Sequence, residues 1–263
     1  MYHDVVDGEL CPDSPTYAVT LGRFRQHLDI LNKGGFRTLT FAEFFRTLRG
    51  EIEHPSRFVL LTFDDGYKSF SDTVVPELVR RSMKATVFIA VNAIGTENYW
   101  DAHLGGPLTP LMDEQDIRSV MAAGMELGIH GWEHRDLTTC SPEEVMQETL
   151  GARSEIVSRF GVHPTTFCYP FGHYGKEHLP ILARAGFEGA VAIFTDCATV
   201  TENRYAMRRV HVHEGDMPFR FRLKLTPLYY RFIALRDGRG TNTCYRIMRC
   251  LDPLMGYAAY AAA

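Results

Sequence analysis

The sequence predicts an α/β fold built on a parallel sheet or barrel, and three observations predict it. Short apolar, β-branched runs alternate with amphipathic stretches through most of the 263 residues. Two of the runs, residues 58–63 and 125–129, stop abruptly at polar clusters, Asp64-Asp65-Gly66 and His130-Gly131-Trp132-Glu133-His134. Strands buried on both faces look this way when they deliver polar groups to their C-terminal ends, where α/β folds build chemistry. The intervening stretches carry helix-start residues at Thr40, Asp113 and Ser141-Pro142-Glu143-Glu144.

In order, Tyr17-Ala18-Val19 is extended. Phe24, Leu28 and Leu31 fall at helical spacing before Lys33-Gly34-Gly35 ends the helix. Residues 36–39 read as a short strand, and Thr40 caps a helix over 41–48. The strand at 58–63 is followed by a helix over 71–82 with Pro76 near its start, then a buried strand over 85–91. Residues 92–110 form a loop rich in glycine and aromatic residues, long enough to cover or line a site. Asp113 caps a helix that Gly124 ends, and Ser141 starts one reaching Phe160. A strand at 166–169 ends in Pro170-Phe171-Gly172, a helix over 176–185 stops at Gly186, and strands follow at 189–194 and 205–212.

Composition narrows the function classes. Hydrophobic content of 45% and charged content of 23% are those of an ordinary globular protein. A net charge of −4 argues against a nucleic-acid binder. Cys11, Cys140, Cys168, Cys197, Cys244 and Cys250 are scattered without a C-x-x-C pair, which fits reduced thiols. The opening Met1-Tyr2-His3-Asp4 shows no leader, and no run approaches the ~18 apolar residues of a membrane span. The expected location is therefore the cytoplasm or the cytoplasmic membrane face. From Pro218 onward eight Lys or Arg face two acids. This segment reads either as a basic tail resting on an anionic membrane or lipid-linked substrate, or as terminal helices packed on the barrel with basic faces in water.

The chemistry lies in the strand-end clusters. His130 and His134 are four residues apart, a spacing that turns two imidazoles toward one point. Two imidazoles and a carboxylate at strand ends make an open divalent-metal site of the hydrolytic type.

The succession Thr62-Phe63-Asp64-Asp65-Gly66, His130-x-x-x-His134 and Tyr169-Pro170-Phe171-Gly172 resembles the polysaccharide deacetylase family, also called the NodB-homology domain or carbohydrate esterase family 4. Tyr2-His3, Ala85-Thr86-Val87-Phe88, Trp100-Asp101, 126–130 and Ala185-Gly186-Phe187 add to the resemblance, which runs from Tyr2 to Val212. It implies a distorted (β/α) barrel of about seven parallel strands over residues 1–215, fewer than a complete set of eight; the basic composition beyond it is expected to form a helical extension, 216–263, packed on the barrel. It implies one divalent cation, zinc in the first instance, held by Asp65, His130 and His134, with Asp64 as general base. The implied reaction removes an N-acyl group, foremost N-acetyl, from an amino sugar of a glycan or glycan precursor. The alternatives are another small or lipid-linked C–N amide and a non-catalytic glycan-binding barrel.

Tyr169, Pro170, Phe171 and Gly172 are expected at the substrate, with the Tyr169 amide as an oxyanion donor. The family's acid is a histidine on a late strand, and this chain offers His211 and His213, which alternation puts on one face; His173 is a third candidate. Trp100 and Asp101 form either a substrate wall or a loop anchor. Cys168 stands where many members carry an arginine that orients the base, which leaves Asp64 without evident support. His163 and His178 are expected on the surface.

Overall fold

The structure is a computed structural model that describes residues 1–10, 14–15, 17–104, 108–193, 195, 203–229 and 232–233. Two short parallel pairs come first in the chain. β1 (Val5–Val6) pairs with β2 (Val19–Thr20), and β3 (Arg37–Thr38) with β4 (Phe58–Val59). The main sheet follows, with β5 (Thr62–Phe63), β6 (Thr86–Ile89), β7 (Glu126–Ile129), β8 (Thr166–Cys168), β9 (Gly189–Ala192) and β10 (Met207–Arg208) side by side and all parallel.

Spatial order equals chain order, so each crossover advances the sheet by one strand in the same direction. The ring is completed by the N-terminal segment. Tyr2 pairs with Phe63, its N–H donating to Thr62 O at 2.8 Å, while on its other side Val212 N–H donates to Met1 O at 3.0 Å. Six sheet strands and this segment make the seven staves of a distorted (β/α) barrel.

The crossovers carry α1 (Leu21–Lys33), α2 (Phe41–Leu48), α3 (Val75–Arg80), α4 (Glu114–Ala122), α5 (Pro142–Met146), α6 (Ala152–Phe160) and α7 (His178–Arg184). Thr40, Asp113 and Ser141 each close a reciprocal capping box, as their sequence contexts predict. Phe41, Phe44 and Phe45 of α2 pack on Phe88, Cys168, Val191 and Met207 of the strands. The Glu126 carboxylate, at the start of β7, accepts the Phe41 and Ala42 N–H groups at 2.6 and 3.1 Å. Helix α2 therefore closes the N-terminal end of the barrel and leaves the other end for the polar clusters.

Three predicted elements divide in the structure. The run 58–63 is two strands, because Leu60 turns toward the phenylalanines of α2 while Leu61 joins the main core, and the pairing partner changes between them. The helix predicted over 71–82 begins as a π-helical turn, Phe70–Val74, since Pro76 has no N–H to donate back to Asp72. A second π turn, Gln147–Gly151, joins α5 to α6.

α8 (Pro218–Lys224) packs on α1, with the buried Phe221 ring stacked on His27 at 4.0 Å. Most of the expected extension, 234–263, lies outside the described residues. So do Cys11, Cys197, Cys244 and Cys250, whereas Cys140 and Cys168 are free thiols. His163 is exposed as expected, but His178 is buried, because its Nδ1 accepts the Gly175 N–H at 2.9 Å ahead of α7. No described helix is long and apolar enough to cross a membrane.

Candidate metal and catalytic site

At the end of β5 the backbone turns through Asp65 at φ 71° and Gly66 at φ 78°. Aspartate tolerates this left-handed region and glycine favours it. A Cβ on Gly66 would also lie 2.9 Å from Ile89 Cδ1. The turn sends the two neighbouring carboxylates in different directions. Beyond β7, His130 continues the ladder by donating to Ile89 O at 2.8 Å, and the loop then turns at Gly131 (φ 87°) and His134 (φ 59°).

The result is a convergence of three buried side chains. His130 Nε2 and His134 Nε2 each lie 3.3 Å from Asp65 Oδ1. A tetrahedral cation with bonds of about 2.05 Å has ligand atoms about 3.3 Å apart, so these groups stand at coordination spacing. His130 Nδ1 lies 2.9 Å from Cys168 O, to which its N–H donates, leaving Nε2 as the free lone pair. Burial alone would raise Asp65, yet the contacts from His130 and His134, with charge on His134 and His3, hold it well below the usual carboxylate range. An ionised carboxylate and two imidazole nitrogens form a donor set that fits a divalent cation.

Asp64 is 2% exposed, and burial would raise its pKa. The Arg209 guanidinium outweighs burial and brings it down to about 2. Arg209 Nη1 donates to Oδ1 at 2.6 Å and Nη2 to Oδ2 at 2.8 Å, a two-pronged grip on a buried carboxylate. This corrects the expectation that Cys168 leaves Asp64 without support. The small thiol leaves room for a guanidinium arriving from just beyond β10, and Arg209 Nη2 contacts Cys168 Sγ at 2.9 Å. Arg209 is the residue that sequence reasoning missed. Its signal was an arginine at an inward position of a buried strand, where a charge requires a partner.

His3 Nε2 lies 3.8 Å from Asp64 Oδ2, and its ring contacts Tyr17 at 5.0 Å and His211 at 5.2 Å. His211 and His213 meet edge to face at 4.6 Å. Burial, followed by the neighbouring histidines His3 and His213, lowers His211 well below the usual imidazole range, so its ring is neutral, with Nε2 unpartnered. His173 Nδ1 faces Asp136 Oδ2 at 2.8 Å.

On the open side, Trp100 stacks on His134 at 4.3 Å and Phe171 meets it edge-on at 4.8 Å. Phe171 is 46% exposed and holds φ 57°, a strained aromatic presented to solvent. Pro170 and Gly172 are buried beneath it. Asp101 anchors the loop, since its Oδ2 accepts from Tyr17 Oη at 2.7 Å and Asn98 Nδ2 at 2.8 Å. The Tyr169 N–H is committed to the sheet, donating to Val191 O at 3.1 Å, and its hydroxyl donates to Tyr205 O at 3.0 Å. The oxyanion donor expected there is therefore already paired, because Tyr169 still belongs to the β8–β9 ladder.

Residues 51–190 match the family model described as polysaccharide deacetylase. The chain is 26% identical over 215 residues to a Bacillus subtilis (strain 168) protein described as a candidate polysaccharide deacetylase, covering 82% of this chain and 71% of that one. It is 21% identical over 208 residues to the poly-β-1,6-N-acetyl-D-glucosamine N-deacetylase of Staphylococcus aureus (strain MRSA252), covering 75% and 69%. Among solved structures, the Streptococcus pyogenes deacetylase PplD in complex with acetate superposes with a TM-score of 0.73 at 20% identity, over 86% of this chain and 96% of that one. IcaB from Ammonifex degensii gives 0.69 at 23% identity, over 85% and 94%. These two likenesses concern the fold.

Proposed function

The chain belongs to the polysaccharide deacetylase family, and we propose that it is a metal-dependent hydrolase that removes an N-acyl group, foremost N-acetyl, from an amino sugar of a polysaccharide or glycan precursor. One observation carries the reading: Asp65, His130 and His134 converge at coordination spacing beside an Asp64 held ionised by Arg209. Asp65, His130 and His134 would hold the cation, zinc in the first instance because imidazole and carboxylate at tetrahedral spacing suit it. Bound there, the cation supplies Lewis acidity toward the acyl carbonyl and toward water.

The chain's own residues supply the rest. Asp64 takes a proton from the attacking water, whose oxygen bonds to the carbonyl carbon. Arg209 fixes the carboxylate's plane while each oxygen keeps a lone pair for that proton. The C–N bond breaks, and the leaving nitrogen takes a proton from an acid; His213 stands as the candidate, and His211 beside it, its ring held neutral, would serve only after taking up a proton at its unpartnered Nε2. Trp100 and Phe171 offer apolar faces to a sugar ring. Arg209 stands in for the missing arginine, which removes one of the two supports for a non-catalytic barrel, the other being the unassigned acid.

In the same reading residues 1–215 form the catalytic barrel and 216–263 an extension packed on it. Phe219 and Leu228, 75% and 71% exposed and flanked by Arg220 and Arg222, mark where this extension would touch an anionic membrane. Cosedimentation with vesicles containing phosphatidylglycerol tests that contact.

The deciding experiment is metal content of protein purified without added metal, paired with amine release from N-acetylglucosamine oligomers before and after chelation. Stoichiometric metal with chelator-sensitive release is the expected result. Metal without release directs the search to lipid-linked or small amides, and absence of metal binding refutes the mechanism.

A further inference from the structure

The two histidines of the site are held differently. His130 sits at a strand end and is oriented by the Cys168 carbonyl. His134 sits in a loop at φ 59°, and its Nδ1 is buried without a hydrogen-bond partner among the described residues. An imidazole ligand ordinarily has its second nitrogen fixed by a neighbour. Beyond Asp65, the His134 ring meets the rings of Trp100, His130 and Phe171, none of which accepts from Nδ1, so its position depends on the backbone that carries it.

That backbone is gripped by one carboxylate. Glu148 Oε2 accepts the N–H of Trp132 at 2.9 Å and of Arg135 at 3.4 Å, and Oε1 accepts that of Glu133 at 3.0 Å. Glu148 is 2% exposed, lies in the π turn between α5 and α6, and shares the inner face of that helix with Val145, Thr149, Ala152 and Ile156. The Arg135 guanidinium goes elsewhere, to Glu133 and Glu144, each at 2.6 Å. The Glu148 charge is thus spent on loop amides. Gly131 gives it room, because a Cβ there would stand 2.4 Å from Oε2.

We infer that Glu148 is a positioning residue for the metal site: by collecting the amides of residues 132, 133 and 135 on one carboxylate it fixes the turn that aims His134 at Asp65. The inference rests on the metal-site reading above. Glu148→Gln replaces one acceptor oxygen with an NH2 group that opposes a backbone N–H, so the grip opens without loss of volume.

The test is titration of the metal-free full chain with Co2+, following the visible d–d bands, for wild type, Glu148→Gln, Gly131→Ala and Val145→Ala. Val145 is buried on the same helix, and its truncation controls for stability alone. Glu148→Gln and Gly131→Ala are expected to weaken Co2+ binding by roughly 10- to 100-fold and to alter the bands, while Val145→Ala lowers the melting temperature and leaves affinity and spectrum unchanged. Wild-type affinity and spectrum in folded Glu148→Gln overturn the inference; if that variant does not fold, Glu148→Asp, one methylene too short to reach, replaces it under the same criterion. Affinity that falls equally in Val145→Ala also overturns it. A wild-type chain that takes up no Co2+ is a different failure, that of the metal site itself.

Discussion

Replacing Arg209 with methionine tests the catalytic reading where it depends most on tertiary structure. In the folded chain Asp64 lies at about 2 against an ordinary 3.8, although burial pushes it upward. That gap corresponds to about 2 kcal/mol of preference for the ionised form. Removing the guanidinium deletes both short hydrogen bonds and strands a carboxylate in the barrel, so stability at neutral pH should fall by about 3–5 kcal/mol. The sign with pH follows from the direction of each shift. In the wild type the depressed pKa gives stabilisation that is present above 3.8 and lost as pH falls toward 2. In Arg209→Met burial, opposed only by His130 and His3, raises the pKa from its wild-type value, so the acid form is better accommodated than the charged form. The melting-temperature gap between the two proteins should therefore be widest at neutral pH and close as pH approaches about 3.

Activity adds a second readout. The acidic limb of kcat/KM should move to higher pH in Arg209→Met, and the plateau should drop roughly 100- to 10,000-fold as the base loses its orientation. Arg209→Lys keeps the charge without the two-pronged geometry, and should restore the limb more than the plateau. An acidic limb at the wild-type pH, together with a melting-temperature gap independent of pH, would refute the argument.

Three further outcomes follow from the same geometry. Asp65→Asn should abolish stoichiometric zinc uptake and amine release together, read by elemental analysis, and zinc bound at the wild-type level would exclude Asp65 as a ligand. Trp100→Ala removes the ring stacked on His134, a contact of about 0.5–1.5 kcal/mol, so zinc affinity measured against a competing chelator should fall roughly 2- to 12-fold. Glu126→Gln disturbs the cap on α2 at the far end of the barrel and should cost about 1–3 kcal/mol in thermal denaturation while kcat stays within about twofold; a large change in kcat would mean that the closed end of the barrel communicates with the site.

The fold was legible because its signals are local. Capping boxes at Thr40, Asp113 and Ser141 involve residues three apart, and all three helices start where these residues place them. The strands announce themselves by apolar runs that stop at charged pairs. Departures came where distant partners decide. The run 58–63 reads as one strand, but splits because Leu60 and Leu61 answer to different clusters, one built on the phenylalanines of α2 and the other on the main core. His178, which reads as a surface histidine, is buried through a local contact instead, its ring accepting the N–H of Gly175 three positions back.

By itself the sequence determined the barrel, the family and the meeting of Asp64, Asp65, His130 and His134, since each pair is delivered by one short segment at a strand end and needs no knowledge of the partner. Only the tertiary structure decided what holds them. Arg209 reaches Asp64 across 145 positions, Glu148 reaches back to the histidine loop from a helix, and the Tyr169 amide is taken by a neighbouring strand. Spacing along a chain encodes which groups share a turn or a face. Which buried charge neutralises another, and which N–H remains free, depends on packing between segments that the sequence lists far apart.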